Sequence, residues 1–142
     1  MSYTEHMQRW LIALFLLSAA GLCFSGYLSA VKLFNGTCAF NEPCQYFLGY
    51  PACWYGFVMY LVMFTASLLG LAGLVAASGA IRADLFVSGL GILFSGSFAV
   101  QEFFAGTITG RLGLSTCAYG LIFYVAIFIV SLLAARNARA AT

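Results

Sequence analysis

Apolar residues run along this chain in four long blocks separated by short polar connections. Residues 10–34 are almost wholly apolar, and about 20 such residues cross the hydrocarbon core of a bilayer as a helix. A cleaved signal peptide is the rival reading of this block. Its recurrence later in the chain favours a retained span. The pattern predicts further helices over 51–77, 84–106 and 117–135. The second helix is expected to stop at the breaker Ser78-Gly79, with Arg82 and Asp84 on a short polar turn before the third. The expected fold is all-α, an integral membrane four-helix bundle forming a single transmembrane domain.

Composition supports lipid as the solvent. The chain of 142 residues is 63% hydrophobic and 7% charged, against about a quarter charged in soluble domains. A net charge of +2 without a basic run gives no footprint for nucleic acid. Four spans put both termini on one side, together with Arg9, Arg82, Arg136 and Arg139, and leave Lys32 and Arg111 on the other. The positive-inside bias then places the termini in the cytoplasm of an inner or cytoplasmic membrane, with the cysteine loop 35–50 outside it. Disulfides persist on that oxidising side.

The blocks repeat in pairs. Leu22-Cys23-Phe24-Ser25-Gly26 reads against Ile92-Leu93-Phe94-Ser95-Gly96, and Cys53-Trp54-Tyr55-Gly56 with Tyr60 reads against Cys117-Ala118-Tyr119-Gly120 with Tyr124. The bundle is therefore expected to consist of two similar helical hairpins. Gly21, Ser25 and Ser29 match Gly91, Ser95 and Ala99, stripes of small residues that let helices approach in lipid. Ten residues separate Thr37 from Leu48, whereas four separate Thr107 from Leu112. The extra residues carry Cys38 and Cys44, so this insertion is expected to serve more than folding.

Five cysteines leave at least one without a partner in the chain. Cys38 and Cys44 enclose five residues including Pro43, close enough for a disulfide if the loop folds back. Such a bond is either an exchangeable pair or a static clip. No metal site is expected, because the spacing is not that of a zinc ribbon and no histidine is near. Cys53 and Cys117 take equivalent places at the starts of the second and fourth helices, where the helix dipole stabilises thiolate. Each also suits a tight helix crossing. Cys23 reads as an inert core residue. Lys32 and Glu102 fall at matching repeat positions with opposite charge, and mutual pairing or snorkelling of Lys32 accounts for them. Aromatic residues crowd the outer boundary as an ordinary interfacial belt; Trp54, Tyr55 and Tyr119 are the candidates to wall a flat quinone ring.

With these residues in view, the chain resembles the vitamin K epoxide reductase family of four-helix membrane thiol oxidoreductases. Ser25-Gly26-Tyr27-Leu28 through Lys32 looks like the family's first-helix end, Cys38 and Cys44 like its loop pair, and Gly49-Tyr50-Pro51 with Gly56 and Tyr60 like the start of its second helix. Cys117 sits where the family places the last cysteine of its Cys-x-x-Cys. The first cysteine of that motif is replaced by Leu114. The resemblance implies a divergent, bacterial-type member exchanging electrons between an extracytoplasmic thiol protein and a membrane quinone, ubiquinone or menaquinone. Cys117 would be nearest the quinone, Cys53 its resolving partner in place of residue 114, and Cys38 with Cys44 the outer shuttle. The alternative is a non-catalytic relative that serves as a small accessory subunit of a larger membrane complex.

Overall fold

The computed structural model describes residues 3–35, 46–105 and 116–140. Four helices account for nearly all of them: α1 Tyr3–Asn35, α2 Ala52–Leu71, α3 Ala77–Ala105 and α4 Thr116–Ala140. All four are long and apolar enough to cross a membrane. The chain is thus a multi-pass, all-α four-helix bundle. Neighbours run antiparallel in the cyclic order α1, α2, α3, α4, so α2 and α4 face each other across a diagonal.

The inward faces mix large side chains, among them Leu11, Leu14, Tyr60, Met63, Ile81, Tyr124 and Ile127, with a set of serines, and many further large apolar side chains point outward. Ser18, Ser25, Ser67, Ser88, Ser95 and Ser131 are buried, whereas Leu16, Phe86 and Leu93 are exposed to the lipid. Lipid tails are as apolar as leucine, so close backbone approach rather than apolar burial holds such helices together. Three of these serines donate to carbonyls of their own helix, Ser18 to Leu14 at 2.7 Å, Ser25 to Gly21 at 2.9 Å and Ser88 to Leu85 at 3.1 Å.

At the centre, Tyr60 of α2 and Tyr124 of α4 stack with ring centroids 4.5 Å apart and planes 4° from parallel. The Tyr60 ring lies on Gly21 of α1 and the Tyr124 ring on Gly91 of α3, and a Cβ at either glycine would overlap the ring. Each hydroxyl then crosses to the opposite hairpin. Tyr60 donates to the Gly120 carbonyl at 2.8 Å, and Tyr124 to the Gly56 carbonyl at 3.4 Å. These are the residues that pair in the sequence repeat, so the two hairpins share one packing scheme about a pseudo-two-fold axis between the rings.

The turn between α2 and α3 falls earlier than Ser78-Gly79. Gly73 takes φ +75°, its N–H bonds to the Gly70 carbonyl at 3.3 Å, and the Leu74 N–H bonds to the Leu69 carbonyl at 3.0 Å. This is the paired-bond helix end that a left-handed glycine permits. Ser78 and Gly79 belong to the first turn of α3, and Arg82 and Asp84 lie within the helix. Arg82 is exposed, but Asp84 is 1% exposed and accepts a 2.6 Å bond from the Ser67 hydroxyl. The expectation of a polar turn here fails because one left-handed glycine ends a helix more effectively than an exposed Ser-Gly pair.

At the other end, β1 (Tyr46–Phe47) and β2 (Tyr50–Pro51) form a small antiparallel hairpin ahead of α2. Its two-residue turn has positive φ at both positions, 53° at Leu48 and 86° at Gly49, as a type I′ turn requires. For leucine that conformation costs about 1–2 kcal/mol.

Gly21→Ala and Gly91→Ala are each expected to destabilise the bundle by about 1–3 kcal/mol through overpacking, read as a fall in unfolding temperature in detergent. Gly26→Ala, whose Cβ would meet Phe57 at an ordinary 3.4 Å, should cost much less; equal losses at the three sites would refute the tyrosine seat. Leu48→Asn is expected to raise stability by about 1 kcal/mol, since asparagine tolerates the left-handed region.

Candidate functional site: the thiol end of the bundle

The β1–β2 hairpin delivers the chain into α2 through Pro51, a residue suited to a helix start because its missing N–H is not needed there. Tyr50 and Trp54 pack against each other, centroids 6.0 Å apart, and seat the hairpin on the first turn. Cys53 is the second residue of α2, half-buried and a free thiol. Two residues of the last turns of α1 flank it. The Ser29 hydroxyl donates to the Cys53 carbonyl at 3.4 Å, and the half-buried Lys32 lies within electrostatic reach of the thiol. The loop end of the bundle therefore brings together a half-buried thiol, a hydroxyl and, within electrostatic reach, a lysine.

Lys32 beside Cys53 is the feature that sequence reasoning misses. The pattern of small residues held the clue: Gly21 faces Tyr60 and Gly26 faces Phe57, and continuing that antiparallel register brings Ser29 to Cys53. In the second hairpin the same positions are Ala99 and Glu102. The proposed pairing of Lys32 with Glu102 involves a side chain outside the described residues.

The other candidates do not converge on one wall. Tyr55 packs on Phe94 in the α2–α3 seam, centroids 5.6 Å apart, and Tyr119 packs on Phe24 in the α4–α1 seam at 6.1 Å. These are equivalent contacts on opposite sides of the pseudo-two-fold axis, and Trp54, in the first turn of α2, packs on Tyr50 of the hairpin. Cys117 is the second residue of α4, the position that Cys53 holds in α2. The two helices are diagonal rather than adjacent, and Cys53 is unbonded to any other cysteine. Cys38, Cys44 and Leu114 lie outside the described residues. Cys23 is corrected: it is exposed, facing out of the bundle as its repeat counterpart Leu93 does, because the small-residue stripe of α1 takes the inner face. Among the described residues no three of His, Cys, Asp or Glu gather at one point.

Fold and site together define a small multi-pass membrane protein, two like helical hairpins joined back to back with a half-buried thiol at the loop end. No protein-family model, curated protein or solved structure matches the chain.

Lys32→Gln is expected to slow alkylation of Cys53 by about 2-fold, the weak effect of removing one partly solvated charge. The rate at Cys23, exposed midway along α1, should not change and serves as the internal control. Equal slowing at both cysteines would point to a general change in structure.

Proposed function

We propose that this protein is a membrane thiol–quinone oxidoreductase of vitamin K epoxide reductase type. The observation that carries the reading is the free, half-buried Cys53 at the loop end, beside Lys32 and at the step of α2 that Cys117 holds in α4. In this reading the termini are cytoplasmic and the cysteine loop lies outside the cytoplasmic membrane, where partner thiols and disulfides exchange.

The redox balance is simple. Two thiols of the chain lose two electrons and two protons, which reduce one quinone to hydroquinone, and the two sulfurs join as a disulfide. Exchange then passes that disulfide outward: a thiolate of the loop pair, Cys38 or Cys44, attacks it through a mixed disulfide, and a soluble protein dithiol finally takes over the bond. Lys32 supplies a positive charge beside a thiolate at Cys53. Cys117 is the partner thiol that repeat symmetry offers, and its bond to Cys53 requires the loop ends of α2 and α4 to close on the diagonal.

The test is a thiol count by alkylation and mass spectrometry on the reduced protein, before and after ubiquinone or menaquinone in detergent. Thiols are expected to disappear in pairs, with a Cys53–Cys117 crosslink that Cys117→Ser abolishes while the fold is kept. All five cysteines remaining alkylatable would overturn the reading and favour an accessory subunit, detected by co-purification with a larger membrane complex.

A further inference from the structure

The opposite half of the bundle holds a second polar site, unrelated to the thiols. Asp84 is buried within the membrane-spanning part of α3. Its Oδ2 accepts the Ser67 hydroxyl at 2.6 Å, but its Oδ1 has no hydrogen-bond partner. Ser131 of α4 is fully buried and its hydroxyl is likewise unpartnered. The register of α3 on α4 relates the two. Gly91 meets Tyr124, and Ser95 approaches Gly120. Running the same antiparallel register two turns further brings Asp84 opposite Ser131. The layer thus presents Ser67, Asp84 and Ser131 from three helices, with Leu14, the repeat counterpart of Asp84, on the fourth.

We propose that Asp84, Ser67 and Ser131 form a binding site for a small monovalent cation of the size of sodium. Carboxylate and hydroxyl oxygens are hard ligands, which suit such an ion rather than a soft or transition metal. One carboxylate matches one positive charge, so the filled site is neutral, as the interior of a membrane protein demands. The two unpartnered oxygens belong to neighbouring helices and fall at one level by the register of α3 on α4, and a bound ion would give both a partner. A cleft of about 290 Å³ between α3 and α4, lined by Ser78, Ile81, Leu85, Ala135 and Ala138, approaches this layer from the terminal end. Arg82 and Arg139 at its rim are exposed, where solvent ions screen their repulsion.

The test compares thermal unfolding of the detergent-solubilised chain in sodium chloride and in N-methylglucamine chloride at equal ionic strength. Sodium is expected to raise the unfolding temperature by about 3–6 °C for each tenfold increase above its dissociation constant. Asp84→Asn should abolish the response, and Ser131→Ala should shift it to at least tenfold higher sodium; if Asp84→Asn fails to fold, Ser131→Ala decides. Ser25→Ala, whose hydroxyl bonds within α1, should leave it intact. Identical unfolding of the unmodified protein in the two salts, including a purely proton-dependent stability, overturns the proposal. So does a sodium response that Ser131→Ala leaves unchanged.

Discussion

Two tyrosine rings stacked between diagonal helices set the geometry of this bundle. In water, apolar burial would pull the helices together; in lipid that drive vanishes, and association depends on close approach and on hydrogen bonds across helices. Tyr60 and Tyr124 meet both needs. Each ring lies on a glycine of its own hairpin, and each hydroxyl reaches a glycine carbonyl of the other. The Gly21 and Gly91 seats set the register within the hairpins, and the crossed bonds set one hairpin against the other. The serine layers and the levels of Cys53 and Asp84 follow from these two registers.

Such a centre constrains both halves of the chain alike, which explains why the repeat is clearest where packing is tightest. Gly21 and Gly91, Ser25 and Ser95, Gly56 and Gly120, and Ser67 and Ser131 all match. The departures are then informative, because packing does not require them. Asp84 stands opposite in kind to Leu14, Lys32 to Glu102, and the Cys38–Cys44 insertion has no counterpart. One departure places a carboxyl group in a buried layer toward the terminal end of the bundle, and another places a lysine within electrostatic reach of a thiol at the loop end. Both polar sites sit where the two hairpins stop being alike, at opposite ends of the same scaffold.

Cysteine placement follows the same logic. Cys53 falls on the seam of α1 with α2, where Ser29 bonds its carbonyl and Lys32 lies within electrostatic reach. Cys23 falls on the outer face of α1, about half a turn around the helix from the Gly21–Ser25 stripe, and faces out of the bundle. Two cysteines in apolar surroundings of the sequence thus reach different environments through the rotation of one helix.

Residence in the membrane, the four spans and the two-hairpin repeat are written in the sequence alone. Hydropathy is a sum over neighbouring residues, and the length of an apolar block decides whether it crosses a bilayer whatever surrounds it. The repeat is legible for a related reason, since Gly21 with Gly91 and Tyr60 with Tyr124 recur in the same order. Which face of each helix points inward is not legible, because helices apolar all round carry little amphipathic pattern to orient them. Tertiary packing alone therefore decided that Gly73 rather than Ser78-Gly79 ends α2, that Asp84 is buried against Ser67, and that Lys32 comes within electrostatic reach of Cys53. Each of these depends on helix rotation and register, and those are set by the steric match of tyrosine ring to glycine between segments far apart in the chain.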